Sequence, residues 1–293
     1  MDDVFFAPGW RGERRPQAWV IGLGLIGGSW AAALSHLGWK VSALDVESES
    51  LRWAKQKNWI QEGRTEWPDK IEADLIILAL PIHLLTEGLA RTAERVSEGA
   101  IITDVGSLKT EICQTGISRS NVYFVGGHPM TGSEKSGVRA AHPELFRNYP
   151  YVLAPMASCP KSVVEKLTAL LRQVGATVVI RNPEEHDLQV ALVSHLPHLF
   201  SVALALSVLE ESPSGTSSLE LAGRSFRDMT RIAESSPEMW QEILIRNAPA
   251  VLASLDVWEG KLAELRTWLE EKDGEAIAET FRKAHGVRQS LGG

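Results

Sequence analysis

Strand-length apolar runs alternate with amphipathic segments along the first part of the chain, and then the alternation stops. Residues 19–21, 40–44, 75–80, 100–104, 122–125, 151–154 and 177–180 are short and rich in Val, Ile, Leu and Ala. Helical spacing fills much of the sequence between them, at 25–37, 83–95 and 161–174. Strands buried on both faces read as continuous apolar runs, and strands separated by helices predict a doubly wound, mostly parallel α/β sheet. After Pro183 the pattern is helical throughout, with a long apolar helix expected over 185–209. Leu255, Trp258, Leu262, Leu265 and Leu269 fall on one face of a later helix. The domain boundary is therefore expected between 182 and 183.

The first strand runs into Gly22, Gly24 and Gly27, spaced as G-x-G-x-x-G, and then into a helix. That order predicts a Rossmann-type dinucleotide site in a domain spanning residues 15–182. Gly22 permits the tight turn, Gly24 lets backbone approach a pyrophosphate, and Gly27 allows helix to pack on strand. The N–H groups of Leu25 and Ile26 open the helix and face the phosphates. The next strand ends in Asp45, placed to accept hydrogen bonds from an adenosine ribose. Glu47 and Glu49 follow, and no Arg comes before Arg52, so a 2′-phosphate is disfavoured and the expected cofactor is NAD rather than NADP.

The run 122–125 leads into Gly126-Gly127-His128-Pro129. A residue before proline is pushed into extended geometry, so His128 is expected at a strand end, before a glycine-punctuated loop. A histidine mounted rigidly beside a redox cofactor suggests proton chemistry. In the helical part, Ser194-His195-Leu196-Pro197-His198 sits within the long helix, where Pro197 should produce a kink. His195 and His198 read equally as buried structural histidines; a metal pair lacks a completing carboxylate or cysteine. Arg227 and Arg231 share a helix face, either solvated or clamping a carboxylate.

Composition narrows the classes. The chain has 293 residues, 44% hydrophobic and 23% charged, with net charge −7 and no basic run. Nucleic acid and anionic membranes are thus not expected partners. Cys113 and Cys159 form neither a disulfide framework nor a metal pattern. No signal peptide or bilayer-length apolar run is read, which points to the cytoplasm.

Taken together, GLGLIGGS at 22–29, DVGSLK at 104–109, GGHPMTGSEKSG at 126–137, SHLPH at 194–198, FRDMTRIA at 226–233 and SPEMW at 236–240 resemble the prephenate/arogenate dehydrogenase family of tyrosine biosynthesis. The resemblance covers nearly the whole chain. It implies oxidative decarboxylation of prephenate to 4-hydroxyphenylpyruvate with NAD as hydride acceptor. Arogenate as substrate, or a dehydrogenase of the β-hydroxyacid type, are the alternatives. It implies catalytic roles for His128 and Ser107, and substrate contacts from Arg231, His198, Ser194, Glu134 and Trp240. It also implies a homodimer through the helical domain, residues 183–293, and neither a tyrosine-sensing appendage nor a fused chorismate mutase is expected. The family's usual glycines before Phe226 are replaced here by Arg224-Ser225. Asp228 is a candidate acid for recognising an ammonium, or a partner of Arg227.

Overall fold

The computed structural model describes residues 10, 14–117, 119–132, 135–209 and 218–290. It alternates β1 (Gln17–Ile21), α1 (Leu25–His36), β2 (Lys40–Leu44), α2 (Ser48–Gln56), β3 (Glu62–Arg64), β4 (Leu75–Leu78), α3 (Ile82–Arg95), β5 (Ile101–Asp104) and α4 (Thr110–Thr115). Then come β6 (Tyr123–Pro129), β7 (Pro150–Ala154), α5 (Lys161–Gln173) and β8 (Thr177–Ile180). The eight strands form one sheet in the order β3-β2-β1-β4-β5-β6-β7-β8. All neighbours are parallel except β6 and β7.

Both faces are covered, as the apolar runs require. Leu75 and Ile77 pack with Trp30 and Leu34 of α1 and Leu167 and Leu170 of α5. Ile76 and Leu78 face the other way, onto Leu85 and Leu89 of α3 and Ile112 of α4. Such fully buried side chains are each worth about 1.5–3 kcal/mol. The chain reverses direction across the sheet between β1 and β4, which opens a ligand crevice at their carboxyl ends.

Two expectations about the sheet are corrected. The strand expected at 122–125 continues to Pro129, because β7 pairs with it from Gly126↔Ala154 to Pro129↔Tyr151. Its two glycines mark close backbone approach inside a strand, not the start of a loop. The edge strand β3 was not foreseen: its residues Glu62, Gly63 and Arg64 are all exposed and carry no apolar pattern.

The remaining described chain is helical: α6 (Pro183–Val190), a π turn (Ala191–His195), α7 (Leu196–Ser207), α8 (Arg224–Thr230), α9 (Pro237–Arg246), α10 (Ala248–Glu270) and α11 (Gly274–Ser290). Asn182 caps α6 by accepting from the N–H of Glu185, with Pro183 in the first turn. The expected long helix is thus three segments. Its missing Pro197 N–H is accommodated by a wider turn, in which Leu196 N–H donates to the Ala191 carbonyl. Among the described residues, Pro183–Ser207 is long and apolar enough to cross a membrane by length and composition. Here it buries His186, Asp187 and His195 and packs Ala191 against Ala250 and Val251 of α10. Of the face expected on α10, Leu255 joins that small core and Trp258 stacks on Phe200, while Leu262 and Leu269 are exposed.

Candidate active site

The glycine turn has the shape a dinucleotide needs. Gly22 has φ +93°, and a Cβ there would meet the Ala79 carbonyl oxygen at 2.2 Å. A Cβ on Gly27 would lie 1.9 Å from the Gly22 carbonyl oxygen, so α1 sits tight on the turn. Gly24, by contrast, faces open space and starts α1 with no capping side chain. The amides of Leu25 and Ile26 therefore open a helix end suited to a diphosphate. The Asp45 carboxylate follows β2, accepting from Leu23 N–H at 2.5 Å and Glu47 N–H at 2.8 Å. These residues fit NAD, which supplies a hydride acceptor when bound. Asp45 N–H donates to the Arg64 carbonyl at 3.0 Å, and Arg64 lines, with Arg52, Lys55 and Trp67 among others, a cavity of about 550 Å³. The proximity of Arg64 depends on the unforeseen β3, and Glu62 holds its guanidinium at 2.6 Å.

A buried ion pair ties the ends of β5 and β6. The Lys109 ammonium pairs with the Asp104 carboxylate, and both side chains are wholly buried. Asp104 also accepts from Gly106 N–H at 2.8 Å and Gly127 N–H at 3.0 Å, while Lys109 Nζ donates to the Gly127 carbonyl at 2.8 Å. A Cβ on Gly127 would sit 2.5 Å from the Asp104 carbonyl oxygen, which explains the glycine. Ser107 and His128 each follow one of the two amides that this single carboxylate holds. The pair of catalytic candidates is thus mounted on one buried support.

His128 is buried, and its Nδ1 lies 2.9 Å from Nε2 of His186 on α6. His186 Nδ1 lies 2.7 Å from Asp187 Oδ1. Asp187 accepts further from the N–H groups of Lys109 and Thr110, at 2.8 and 2.9 Å. Burial alone would raise the Asp187 carboxyl, but the hydrogen bonds from His186, Thr110 and Lys109 outweigh it and hold its pKa below the ordinary value. Burial, reinforced by His186, Lys109 and His195, pushes His128 well below the usual histidine pKa. His128 is therefore neutral at physiological pH.

The helical candidates gather on the same side. Asn247 donates to the Asp187 carbonyl at 2.9 Å and lies 3.2 Å from His195 Nδ1. His195 meets Trp240 edge-on, and His198 stacks on Trp240 at 3.7 Å. His198 Nδ1 donates to the Ser194 carbonyl at 2.9 Å. Burial lowers the pKa of His198, and the nearby Arg231 guanidinium adds to this against the Ser194 carbonyl. Among the described residues, the buried Trp240 Nε1 has no hydrogen-bond partner. So His195, Trp240, His198 and the Ser194 carbonyl are linked by direct contacts, while His195 is near enough to His128, and Arg231 to His198, to lower their pKa values.

Other expectations fall elsewhere. Glu134 lies outside the described residues. Asp228 pairs with Arg224, not Arg227, because the four-residue spacing brings those two side chains together on α8; Arg227 donates to the Ala222 carbonyl. Among the described residues no group of three or more His, Cys, Asp or Glu is arranged to hold a metal ion. Sequence reasoning missed His186, Asp187 and Asn247. Their only signal was position, just after the Asn182 cap and at the α9–α10 junction.

The family profile described as the prephenate dehydrogenase nucleotide-binding domain matches residues 31–180, and the prephenate dehydrogenase dimerization domain matches residues 182–283. The chain belongs to the prephenate dehydrogenase family. It is 36% identical over 280 residues to the prephenate dehydrogenase of Bacillus subtilis, covering 93% of this chain and 75% of that protein. Among solved structures it resembles an Aquifex aeolicus prephenate dehydrogenase in complex with hydroxyphenyl propionate and NAD+. The TM-score is 0.88 at 28% identity, covering 96% of this chain and all of the other. A Synechocystis arogenate dehydrogenase matches with TM-score 0.82 at 29% identity, over 94% and 99% of the two chains. The Rossmann-type sheet with an all-α second domain is thus the architecture of the family.

Proposed function

We infer that this chain is an NAD-dependent oxidoreductase that oxidatively decarboxylates prephenate to 4-hydroxyphenylpyruvate, and we propose His128 as its acid–base residue. Prephenate carries a ring carboxylate, a hydroxyl on the opposite ring carbon and a pyruvyl side chain. The C–H bond at the hydroxyl-bearing carbon breaks, with its electron pair leaving as hydride to the nicotinamide. The bond to the ring carboxylate breaks as carbon dioxide departs, and its electrons complete the aromatic ring. Neutral His128 accepts the hydroxyl hydrogen bond, takes up positive charge as hydride departs, and returns the proton to the phenolic oxygen. Ser107, which follows the Gly106 amide held by the same carboxylate as the Gly127 amide, orients that hydroxyl. Arg231 anchors a substrate carboxylate, with His198, Ser194 and Trp240 lining the pocket. Aromatisation drives the reaction, so the chain's task is to bind, orient and polarise.

The observation that carries this reading is a neutral, buried histidine at a strand end, between a dinucleotide turn and a helical cluster that includes Arg231. Arogenate has an ammonium in place of the keto group. The one acid proposed to recognise it, Asp228, is exposed and paired with Arg224, which favours prephenate.

The homodimer is proposed to form through the helices. Among the described residues, eighteen of the twenty-two exposed large hydrophobics lie after Pro183, while the buried apolar residues there are Val190, Ala191, Leu196, Ile243, Ala250 and Val251. A surface of that kind is covered by a second copy. The division into residues 15–182 and 183–293 is supported by the helix cap at Asn182. Cys113 and Cys159 are both free, which suits the cytoplasm. The test is NADH absorbance together with product analysis, using prephenate or arogenate with NAD. Reduction coupled to 4-hydroxyphenylpyruvate release supports the reading; turnover of arogenate alone, or of neither, overturns it.

A further inference from the structure

We propose that His186 and Asp187 are positioning residues that fix His128 as its Nδ1–H tautomer, leaving Nε2 as the hydrogen-bond acceptor. This rests on His128 being the acid–base residue. The argument runs inward from the carboxylate. Ionised Asp187 can only accept hydrogen bonds. It already takes the amides of Lys109 and Thr110, so its contact with His186 Nδ1 at 2.7 Å requires the proton on that nitrogen. We take His186 as the neutral Nδ1–H ring, which presents a lone pair at Nε2. The 2.9 Å contact with His128 Nδ1 requires His128 to be the donor. Its proton is therefore on Nδ1 and its Nε2 is bare, the form that can accept a proton from a hydroxyl.

The geometry adds a reason for the carboxylate's place. Asp187 belongs to α6 in the helical domain, yet its oxygens hold the backbone that follows Ser107. Asn247 holds the Asp187 carbonyl from the start of α10. One residue thus registers the Ser107 loop, the His128 ring and two helices of the second domain. The ionisable groups around His128 are His186 and Asp187 from α6, Lys109 and Asp104 from the β5 end, and His195 from the π turn. Of these, His186 alone is within hydrogen-bond distance of the His128 ring in the structure.

The test uses the full-length enzyme and three proteins: wild type, His186→Leu and His186→Gln. Leucine removes the acceptor. Glutamine restores one, with an amide oxygen for His128 and an amide N–H for Asp187. Imidazole 15N spectra report which ring nitrogen carries the proton, without substrate. We expect wild-type His128 to show a protonated Nδ1 and a bare Nε2. In His186→Leu the proton should redistribute to Nε2, and kcat should fall by about 10-fold or more, bounded near the roughly 10⁴-fold loss seen when a catalytic histidine is held in the wrong tautomer. KM for prephenate should stay within about twofold, since the substrate anchors are untouched. His186→Gln should recover most of kcat and the wild-type tautomer. A wild-type His128 protonated at Nε2 overturns the proposal, even if His186→Leu fails to fold. So does His186→Leu with unchanged tautomer and kcat, or with a loss confined to KM. Because the spectra need no substrate, they separate failure of this proposal from failure of the prephenate assignment.

Discussion

Replacing Lys109 by methionine removes one half of the buried pair beneath Ser107 and His128, and the outcome can be sized from the structure. Both side chains of the Lys109–Asp104 pair have zero exposure. Removing one partner of such a pair costs about 3–5 kcal/mol, because the other charge stays buried and uncompensated. Asp104 keeps two backbone donors, Gly106 and Gly127, which favours the lower end; the Gly127 carbonyl loses its Nζ donor, which adds to the loss. Methionine fills nearly the same volume, so little cavity penalty is expected. The expectation is a loss of about 3 kcal/mol, read as a fall of about 1 M or more in the urea midpoint. Tryptophan fluorescence can follow the unfolding. The double variant Lys109→Met/Asp104→Asn should lose less than the sum of the single variants, since it removes both charges together. Turnover should fall with Lys109→Met as well, because the support of both catalytic candidates is loosened. A loss below about 1 kcal/mol with wild-type turnover would refute the idea that this pair mounts the site.

Five further outcomes follow from the same geometry. Activity should persist as pH is lowered to well below 6.5, because burial lowers the pKa of His128; a kcat/KM profile falling at pH 6.5 or above would contradict this. Burial brings His195 down to about 4 as well, so on acidification the unfolded chain binds protons first, and denaturation at a series of pH values should show stability declining from pH 6.5 towards 4. Arg231→Ala should raise KM for prephenate about 10- to 100-fold, the worth of lost charge-assisted hydrogen bonds, with kcat changed much less. Gly24→Ala should fold normally, since a Cβ there meets nothing within 4 Å, yet raise KM for NAD by about tenfold or more by filling the pyrophosphate's approach. Light scattering should give twice the 32.2 kDa chain mass, and a monomer at micromolar concentration would count against the helical interface.

The parts of the molecule legible in the sequence were those governed by local rules. A short apolar run such as Leu75–Leu78, closed by Pro81, reads as a strand buried on both faces, and the glycine spacing at 22, 24 and 27 shows itself without any tertiary knowledge. What was hidden depends on pairing between distant segments. The strand to Pro129 exists because β7 lies against it, and Gly126-Gly127 reads as a loop until Asp104 and Lys109 are seen beneath it. β3 has no apolar residue to betray it. His186 and Asp187 look like polar residues in the first turns of an ordinary capped helix; only the fold brings them to His128 and to the backbone after Ser107. The depressed pKa of His128 was likewise invisible, since it comes from burial and neighbours on three other elements.

The central claim is that neutral His128 takes the hydroxyl proton as hydride leaves, and the most direct measurement is steady-state NADH formation from prephenate and NAD by wild type and His128→Ala across pH 5 to 9. The account predicts that the variant loses turnover by roughly 100- to 10,000-fold, the usual worth of a positioned acid–base group, with KM for prephenate nearly unchanged and the wild-type acid limb abolished. Near-normal turnover in His128→Ala, or an acid limb that survives the substitution, would contradict it.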